Sequence, residues 1–369
     1  MQNFPNTFKQ RLQEREQNHS LRGLVVTLAP IDFSSNNYLG LAQSKALFEA
    51  THDFLERKNI FKNGSTGSRL LSGNDALFEE VERFLADFHK SEAALLFNSG
   101  YDANLGFFSA IPRNAIILFD ELVHASIRDG IRLSNAKAYK FEHNNLEDLE
   151  QKLLRFKSDD AEVFVVTESV FSMDGDSPDL KKLVKICKNH TAYLIIDEAH
   201  GIGVFGSEGE GLVQANGLEQ DVFARVVTFG KALGVHGAAI VGSKDLKSYL
   251  VNFCRSFIYT TALSPHSVAS IFVAYQFMKE AHKERELLMN NINYFNELFG
   301  IYDKSPIKSV VISGNEKVKK QAQKLIENGF DVRPILSPTV PEGQERLRFC
   351  LHSYNTPEQI LKVYELLYE

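Results

Sequence analysis

The chain has 369 residues, 44% of them hydrophobic and 24% charged, a globular balance that excludes a disordered chain and leaves room for two domains with a sizeable core. Its formal net charge of −6 excludes the basic footprint of a general nucleic-acid binder. Cys187, Cys254 and Cys350 are scattered without CxxC spacing, which excludes a disulfide framework or a zinc site and points to a reducing compartment.

Met1-Gln2-Asn3-Phe4-Pro5 lacks the basic-then-apolar plan of a signal peptide, and no apolar run is long enough to span a bilayer. The expectation is a cytoplasmic protein with no membrane or nucleic-acid partner and no metal. Residues 6–20 are polar, with Phe8 and Leu12 on one helical face, and read as an N-terminal arm helix. A short strand and polar turn follow at Asp32–Gly40, then a glycine and hydroxyl cluster at Gly64–Arg69 and a helix over 75–88.

From there, apolar runs alternate with helical stretches. The runs are 93–97, 115–119, 163–166, 193–196, 226–228 and 238–241. Such near-continuous runs predict a mainly parallel sheet covered on both faces, with its site beyond the carboxyl ends of the strands. Residues 264–299 read as one long helical segment. Strands at 309–312 and 346–351 and a helix at 316–328 then predict a smaller α+β domain.

Two strand ends carry the chemistry. Val226-Val227-Thr228-Phe229-Gly230-Lys231 leaves a lysine in a small-residue loop, and Tyr193–Ile196 runs into Asp197-Glu198-Ala199-His200. An acid and a lysine so delivered suit pyridoxal phosphate (PLP), whose ring nitrogen takes a carboxylate and whose aldehyde takes an amine. A solvated lysine after a strand is the commoner case for any single lysine, so the companions decide. Asn98-Ser99-Gly100-Tyr101 is either a phosphate-binding helix N-terminus or an ordinary cap. His124 either stacks on a cofactor ring or completes a hydrogen-bonded core.

Asp197-Glu198-Ala199-His200 also spells the helicase DEAH box, but the GxxxxGK[ST] loop that reading needs is absent. Gly201–Gly206 fits GxGxxG, yet no amphipathic helix follows, and it reads as a glycine-rich loop. Phe171–Asp176 is either only a polar turn, with Asp-Gly as its turn chemistry, or, beside a cofactor, a place from which Ser172 donates to it. Alternation puts Arg346 and Arg348 on one strand face, as a carboxylate clamp or as a solvated face.

Taken in order, Ser35-Asn36-Asn37-Tyr38-Leu39-Gly40, Val170-Phe171-Ser172-Met173-Asp174-Gly175-Asp176, Asp197-Glu198-Ala199-His200-Gly201 and Thr228-Phe229-Gly230-Lys231 resemble the α-oxoamine synthases from Arg22 to the last helix. The resemblance implies an α/β fold of the fold-type I PLP-dependent transferases, a mainly parallel sheet flanked by helices with a smaller α+β C-terminal domain. The expected divisions are an arm at 1–40, a large PLP-binding domain at 41–265 and a small domain at 266–369.

For the matched positions the resemblance implies that Lys231 is the Schiff-base lysine and moves the substrate Cα proton. Asp197 would face the pyridinium nitrogen, His200 the ring hydroxyl and His124 the ring face. Gly100, Tyr101 and Thr228 would hold the phosphate, and Ser172 would also touch the cofactor. Thr260 and Thr261 match positions that reach the phosphate of a neighbouring subunit, which implies a homodimer with a shared active site. Arg22, Asn36, His124, Thr339 and Arg348 match substrate positions, with Arg348 on the amino-acid carboxylate.

Ser337-Pro338-Thr339-Val340-Pro341 with Arg346-Leu347-Arg348 is most similar to the members that join L-alanine to a pimeloyl thioester, on coenzyme A or an acyl carrier protein, with loss of carbon dioxide. Siblings join glycine to acetyl-CoA or serine to palmitoyl-CoA. The chain departs from the family in a shorter stretch between Arg22 and Ile31, and in Ala262 and Ser264 where serine and proline are frequent.

Overall fold

The computed structural model describes residues 4–24, 29–156 and 161–368, so residues 25–28 of the shortened stretch lie outside the described residues. The chain divides into a larger unit, Asn36–Ser172 with Asp176–Arg285, and a smaller one, Met1–Ser35 with Met173–Gly175 and Glu286–Glu369.

In the larger unit the apolar runs become strands of one seven-stranded sheet. They are β1 (Ala93–Phe97), β2 (Ile116–Asp120), β3 (Lys137–Phe141), β4 (Val163–Glu168), β5 (Tyr193–Asp197), β6 (Ala224–Thr228) and β7 (Ala238–Gly242). Their order is β1-β7-β6-β5-β4-β2-β3. The five from β6 to β3 run parallel, whereas β7 is antiparallel to both of its neighbours.

Side chains alternate across a strand, and here both faces are buried. Ile117, Phe164, Val166, Ile195, Val226 and Ile240 pack on one face with Phe107 and Phe108 of the helix Gly100–Ser109 and Ile127 and Ile131 of the helix Ala125–Ser134. Ile116, Leu118, Val165, Leu194 and Ile196 pack on the other with Leu149, Leu153, Leu183 and Val184. A sheet covered on both sides is what continuous apolar runs with intervening helices require. The exception is β3, Lys137-Ala138-Tyr139-Lys140-Phe141, which is mostly exposed and, among the described strands, pairs with β2 alone. Its lysines suit an edge strand and hide it from a search for apolar runs.

The segment 264–299 is two helices, Pro265–Glu280 and His282–Phe299. Ser264 caps the first by accepting the Ser267 N–H at 3.1 Å, and Pro265 stands where a missing N–H costs nothing.

The smaller unit holds an antiparallel sheet of β8 (Ile307–Val311), β9 (Arg333–Ile335) and β10 (Arg346–Cys350), ordered β9-β10-β8. The helices Asn315–Glu327 and Pro357–Tyr368 accompany it. The arm helix forms as Asn6–Gln17 and buries none of its residues in this chain. None of the described helices is long and apolar enough to cross a membrane.

Ile195 is 1% exposed at the centre of the sheet. Ile195→Ala is expected to lower the unfolding free energy by about 2–5 kcal/mol, measured by urea denaturation of the purified protein.

Candidate active site

The parallel strands end in polar residues along one edge: Thr228 on β6, Asp197 on β5, Glu168 on β4 and Asp120 on β2. Pairing sets Glu168 directly beside Asp197. A cavity of about 270 Å³ opens over this edge, lined by Lys231, Asp197, His200, His124, Gly100, Tyr101, Ser172, Thr228 and Asn36. These are all the predicted site residues of the larger unit except Thr260 and Thr261. Those two sit behind Asn98, whose Nδ2 donates to Thr260 Oγ1 at 3.0 Å and to the Thr261 carbonyl at 2.9 Å.

The remaining predictions fall in the smaller unit. Arg22 Nη2 donates to Thr339 Oγ1 at 3.1 Å. Arg348 lies on β10 with its Nη1 2.9 Å from Cys350 Sγ, while Arg346 is ion-paired to Asp174. A larger cavity, about 800 Å³, lies in this unit between the arm helix and the loops around Asn315 and Ser337. It brings together no lysine, aspartate and histidine set, so chemistry rather than size identifies the candidate site.

Lys231 follows β6 in a reversal that returns as β7. The Phe229 N–H donates to the Gly237 carbonyl at 3.0 Å, and the Gly234 N–H to the Lys231 carbonyl at 2.9 Å. Gly234 has φ of 67°, and a Cβ there would lie 2.1 Å from the Ala42 nitrogen, so only glycine closes this loop. At the phosphate end, Ser99 caps the helix by accepting the Asp102 N–H at 3.1 Å. A Cβ on Gly100 would stand 2.6 Å from Thr228 Cγ2. The bare glycine lets the helix start, with its unpaired N–H groups, close on the strand end, which is the cradle a phosphate needs.

Asp197 is 5% exposed. Its Oδ1 accepts the Ala199 N–H at 2.8 Å and its Oδ2 accepts Asn104 Nδ2 at 2.7 Å. Both are acceptor contacts, as a carboxylate facing a protonated ring nitrogen requires. His200 Nδ1 is 2.7 Å from the buried Tyr38 hydroxyl, which donates to Asn36 Oδ1 at 3.1 Å. With the glycine cradle, these contacts fit PLP.

Glu168 is a site residue that the sequence reading passed over. It is 3% exposed, and its Oε1 accepts the His124 N–H at 2.6 Å. Burial first, and then the Asp197 charge, push Glu168 up to about 8 against the opposing charge of Lys231, so near neutrality it holds a proton. The signal that exposed Asp197, an acid ending an apolar strand, applies equally to Glu168. Burial also draws His124 below the usual histidine range, aided by Lys231 and Arg128 and opposed by Asp197 and Asp129.

The aminotransferase class I and II family model matches residues 29–367. An 8-amino-7-oxononanoate synthase from Emericella nidulans is 40% identical over 96% of this chain and 93% of its own length. Among solved structures, the serine palmitoyltransferase of Sphingomonas wittichii is 30% identical, with a TM-score of 0.90 over 99% of this chain and 97% of that one. The 8-amino-7-oxononanoate synthase of Francisella tularensis is 32% identical, with a TM-score of 0.78 over 91% and 96%. The chain belongs to the class I and II aminotransferase family and, within it, to the α-oxoamine synthases.

A further histidine braces the site. His143 Nδ1 lies 2.9 Å from Asp120 Oδ1 and its Nε2 lies 2.7 Å from Asp176 Oδ2, so both ring nitrogens donate and the imidazole is cationic. Burial alone would lower His143, but hydrogen bonds and charge from the two aspartates outweigh it and raise it to about 10. The clamp joins the end of β2, which leads to His124, to the turn that carries Ser172. Because the folded state holds this proton more tightly, its stabilisation is complete below about pH 6.5 and is lost as pH rises through about 10. Unfolding free energies measured across that window should fall with pH, and His143→Gln should flatten the fall.

Proposed function

We propose that this protein condenses L-alanine with a pimeloyl thioester, releasing carbon dioxide and a free thiol and forming 8-amino-7-oxononanoate, a biotin precursor. The reading is carried by one conjunction. Lysine, aspartate and histidine converge on a single cavity, in a chain similar over nearly its whole length to enzymes bearing that name. Asp197, His200, His124, Ser172, Thr228 and the Gly100 and Tyr101 amides would hold PLP, the cofactor of this family. When bound, PLP supplies the aldehyde that takes the amino acid and the electron sink for bond breaking at its Cα.

The chain's own residues divide the remaining work. Lys231 Nζ, as a neutral amine, takes and returns the proton at the substrate Cα. The Asp197 carboxylate keeps the ring nitrogen protonated, and His200 bonds the ring hydroxyl. His124 packs over the ring face and presents its imidazole to the incoming acyl group. Arg22, Asn36, Thr339 and Arg348 are assigned to the substrates, with Arg348 on the amino-acid carboxylate as a two-pronged donor. Thr260 and Thr261 are assigned to the phosphate of a second subunit, in a homodimer. The acyl chain arrives on coenzyme A or an acyl carrier protein.

A second reading keeps the chemistry and changes the substrates, to serine with palmitoyl-CoA or glycine with acetyl-CoA. The likeness to serine palmitoyltransferase structures favours it. One methyl group in a pocket discriminates by only about 1–3 kcal/mol, so the substrates are separable only by assay. Alanine, glycine and serine are to be tested against pimeloyl-, acetyl- and palmitoyl-CoA. The proposal expects the fastest thiol and carbon dioxide release from alanine with the pimeloyl donor, and a faster serine or glycine reaction moves the assignment to the second reading.

Lys231→Ala is expected to abolish the borohydride-trapped cofactor adduct and to reduce turnover by at least about 100-fold. Mass spectrometry of the reduced protein checks the site, and an adduct persisting on another lysine would displace Lys231 from its role.

A further inference from the structure

His124 heads the helix Ala125–Ser134, and its ring is part of that helix's cap: Nδ1 accepts the Ser126 backbone N–H at 3.2 Å. A backbone amide only donates, so this nitrogen carries a lone pair. The hydroxyl of Ser126 also lies 2.7 Å from Nδ1, and toward a nitrogen with a lone pair it has to be the donor. Asn104 Nδ2 reaches both Ser126 Oγ, at 3.1 Å, and Asp197 Oδ2, at 2.7 Å. Facing a carboxylate, this atom has to be the amide NH₂, with one hydrogen on each partner. Ser126 Oγ therefore accepts from Asn104, which leaves its own hydrogen free for the lone pair of His124 Nδ1.

The chain of bonds is enclosed. Ser126 is 0% exposed and Asn104 2% exposed. Asn104 Oδ1 is buried with no partner among the described residues, so this side chain is kept for its two donors. We infer that Ser126 and Asn104 are positioning residues that lock His124 as the neutral Nε2–H tautomer, through hydrogen bonds anchored on Asp197.

Protonating Nδ1 would set an N–H against the Ser126 amide and turn the Ser126 hydroxyl hydrogen away from its acceptor, so the lock resists charging as well as tautomer exchange. The charged and titratable groups around the ring are Asp197 and Glu168 from strand ends, Lys231 from the loop after β6, and Arg128 and Asp129 from its own helix. Burial, Lys231 and Arg128 act with the lock, and Asp197 and Asp129 act against it. The inference rests on the reading above for its consequence. His124 meets the substrate as a fixed Nε2–H donor, without a full positive charge beside the cofactor ring, and the residue opposing the ring nitrogen orients the one over the ring face.

The test is two-bond ¹H–¹⁵N correlation spectroscopy of the PLP-loaded protein with ¹⁵N-labelled histidines. The eleven histidines are searched for the signal lost in His124→Asn. The expected result is protonated Nε2 and bare Nδ1, unchanged as pH falls from about 8 to about 6. Ser126→Ala and Asn104→Ala should each give a tautomer mixture that titrates in this range, and move the acid limb of kcat up by about one pH unit. Ser126→Thr, which restores a hydroxyl, should keep the wild-type pattern and thereby exclude general damage to the fold. A protonated Nδ1 in the wild type, or alanine variants that keep its pattern, would overturn the inference. The spectra need no acyl substrate, so a protein showing the pattern but failing to condense alanine with a pimeloyl thioester overturns the functional reading while supporting this one.

Discussion

The pairing of β4 with β5 is the constraint on which the site depends. It places Glu168 beside Asp197 at the ends of two strands buried on both faces. Two carboxyl groups this close, away from water, cannot both carry charge cheaply. The structure separates them by their partners. Asp197 accepts from two donors, the Ala199 N–H and Asn104, whereas Glu168 meets one backbone amide, that of His124. The proton therefore resides on Glu168, and Asp197 is left as the acceptor that a cationic ring nitrogen needs. A register slip of one residue between the two strands would turn one of these side chains to the opposite face of the sheet and part the pair.

The same packing explains how a lysine in a loop is held accurately. Lys231 follows a strand with no freedom to slide, and its loop is tied at both ends by backbone bonds between Phe229, Val235 and Gly237. The close approach of Gly234 to Ala42 ties the loop to the turn after the Asn36–Gly40 motif. Tyr38 of that motif carries the contact to His200. The segments Asn36–Gly40, Asp197–His200 and Thr228–Gly234 are thus one connected surface of the larger unit.

That connection also sets the limit of what the sequence discloses. The strands were legible because burial on both faces forces uninterrupted apolar runs, and the acid and lysine were legible because they end such runs. The edge strand Lys137–Phe141 was not, since one exposed side removes the pattern. The helical segment 264–299 reads as continuous by composition, and its break at Ala281 depends on local geometry. Asn104 and Ser126 carry no signal of their own. Each is an ordinary polar residue in a helix, and the meaning of Asn104 comes from an aspartate 93 positions away. His143 likewise becomes a clamp only when the fold brings Asp120 and Asp176 to its two nitrogens.

The Asp197–His200 tetrad shows how one short motif is divided by the fold between chemistry and architecture. Asp197 and His200 line the cavity, whereas Glu198 is 0% exposed. Its Oε1 accepts the Val213 N–H at 3.0 Å, and its Oε2 lies 3.6 Å from Arg225 Nη1. Arg225 belongs to β6, the strand that ends at Lys231, and its Nη2 donates to the His89 carbonyl. Burying this ion pair costs desolvation that its attraction only partly offsets, and burial raises Glu198 despite the arginine. Its value is therefore better sought in geometry than in net stability. The pair cross-braces the strand that delivers the acid to the strand that delivers the lysine, directly beneath the groups whose separation the chemistry has to fix. Removing either partner alone would strand a charge in the core, so the brace and the site above it stand or fall together.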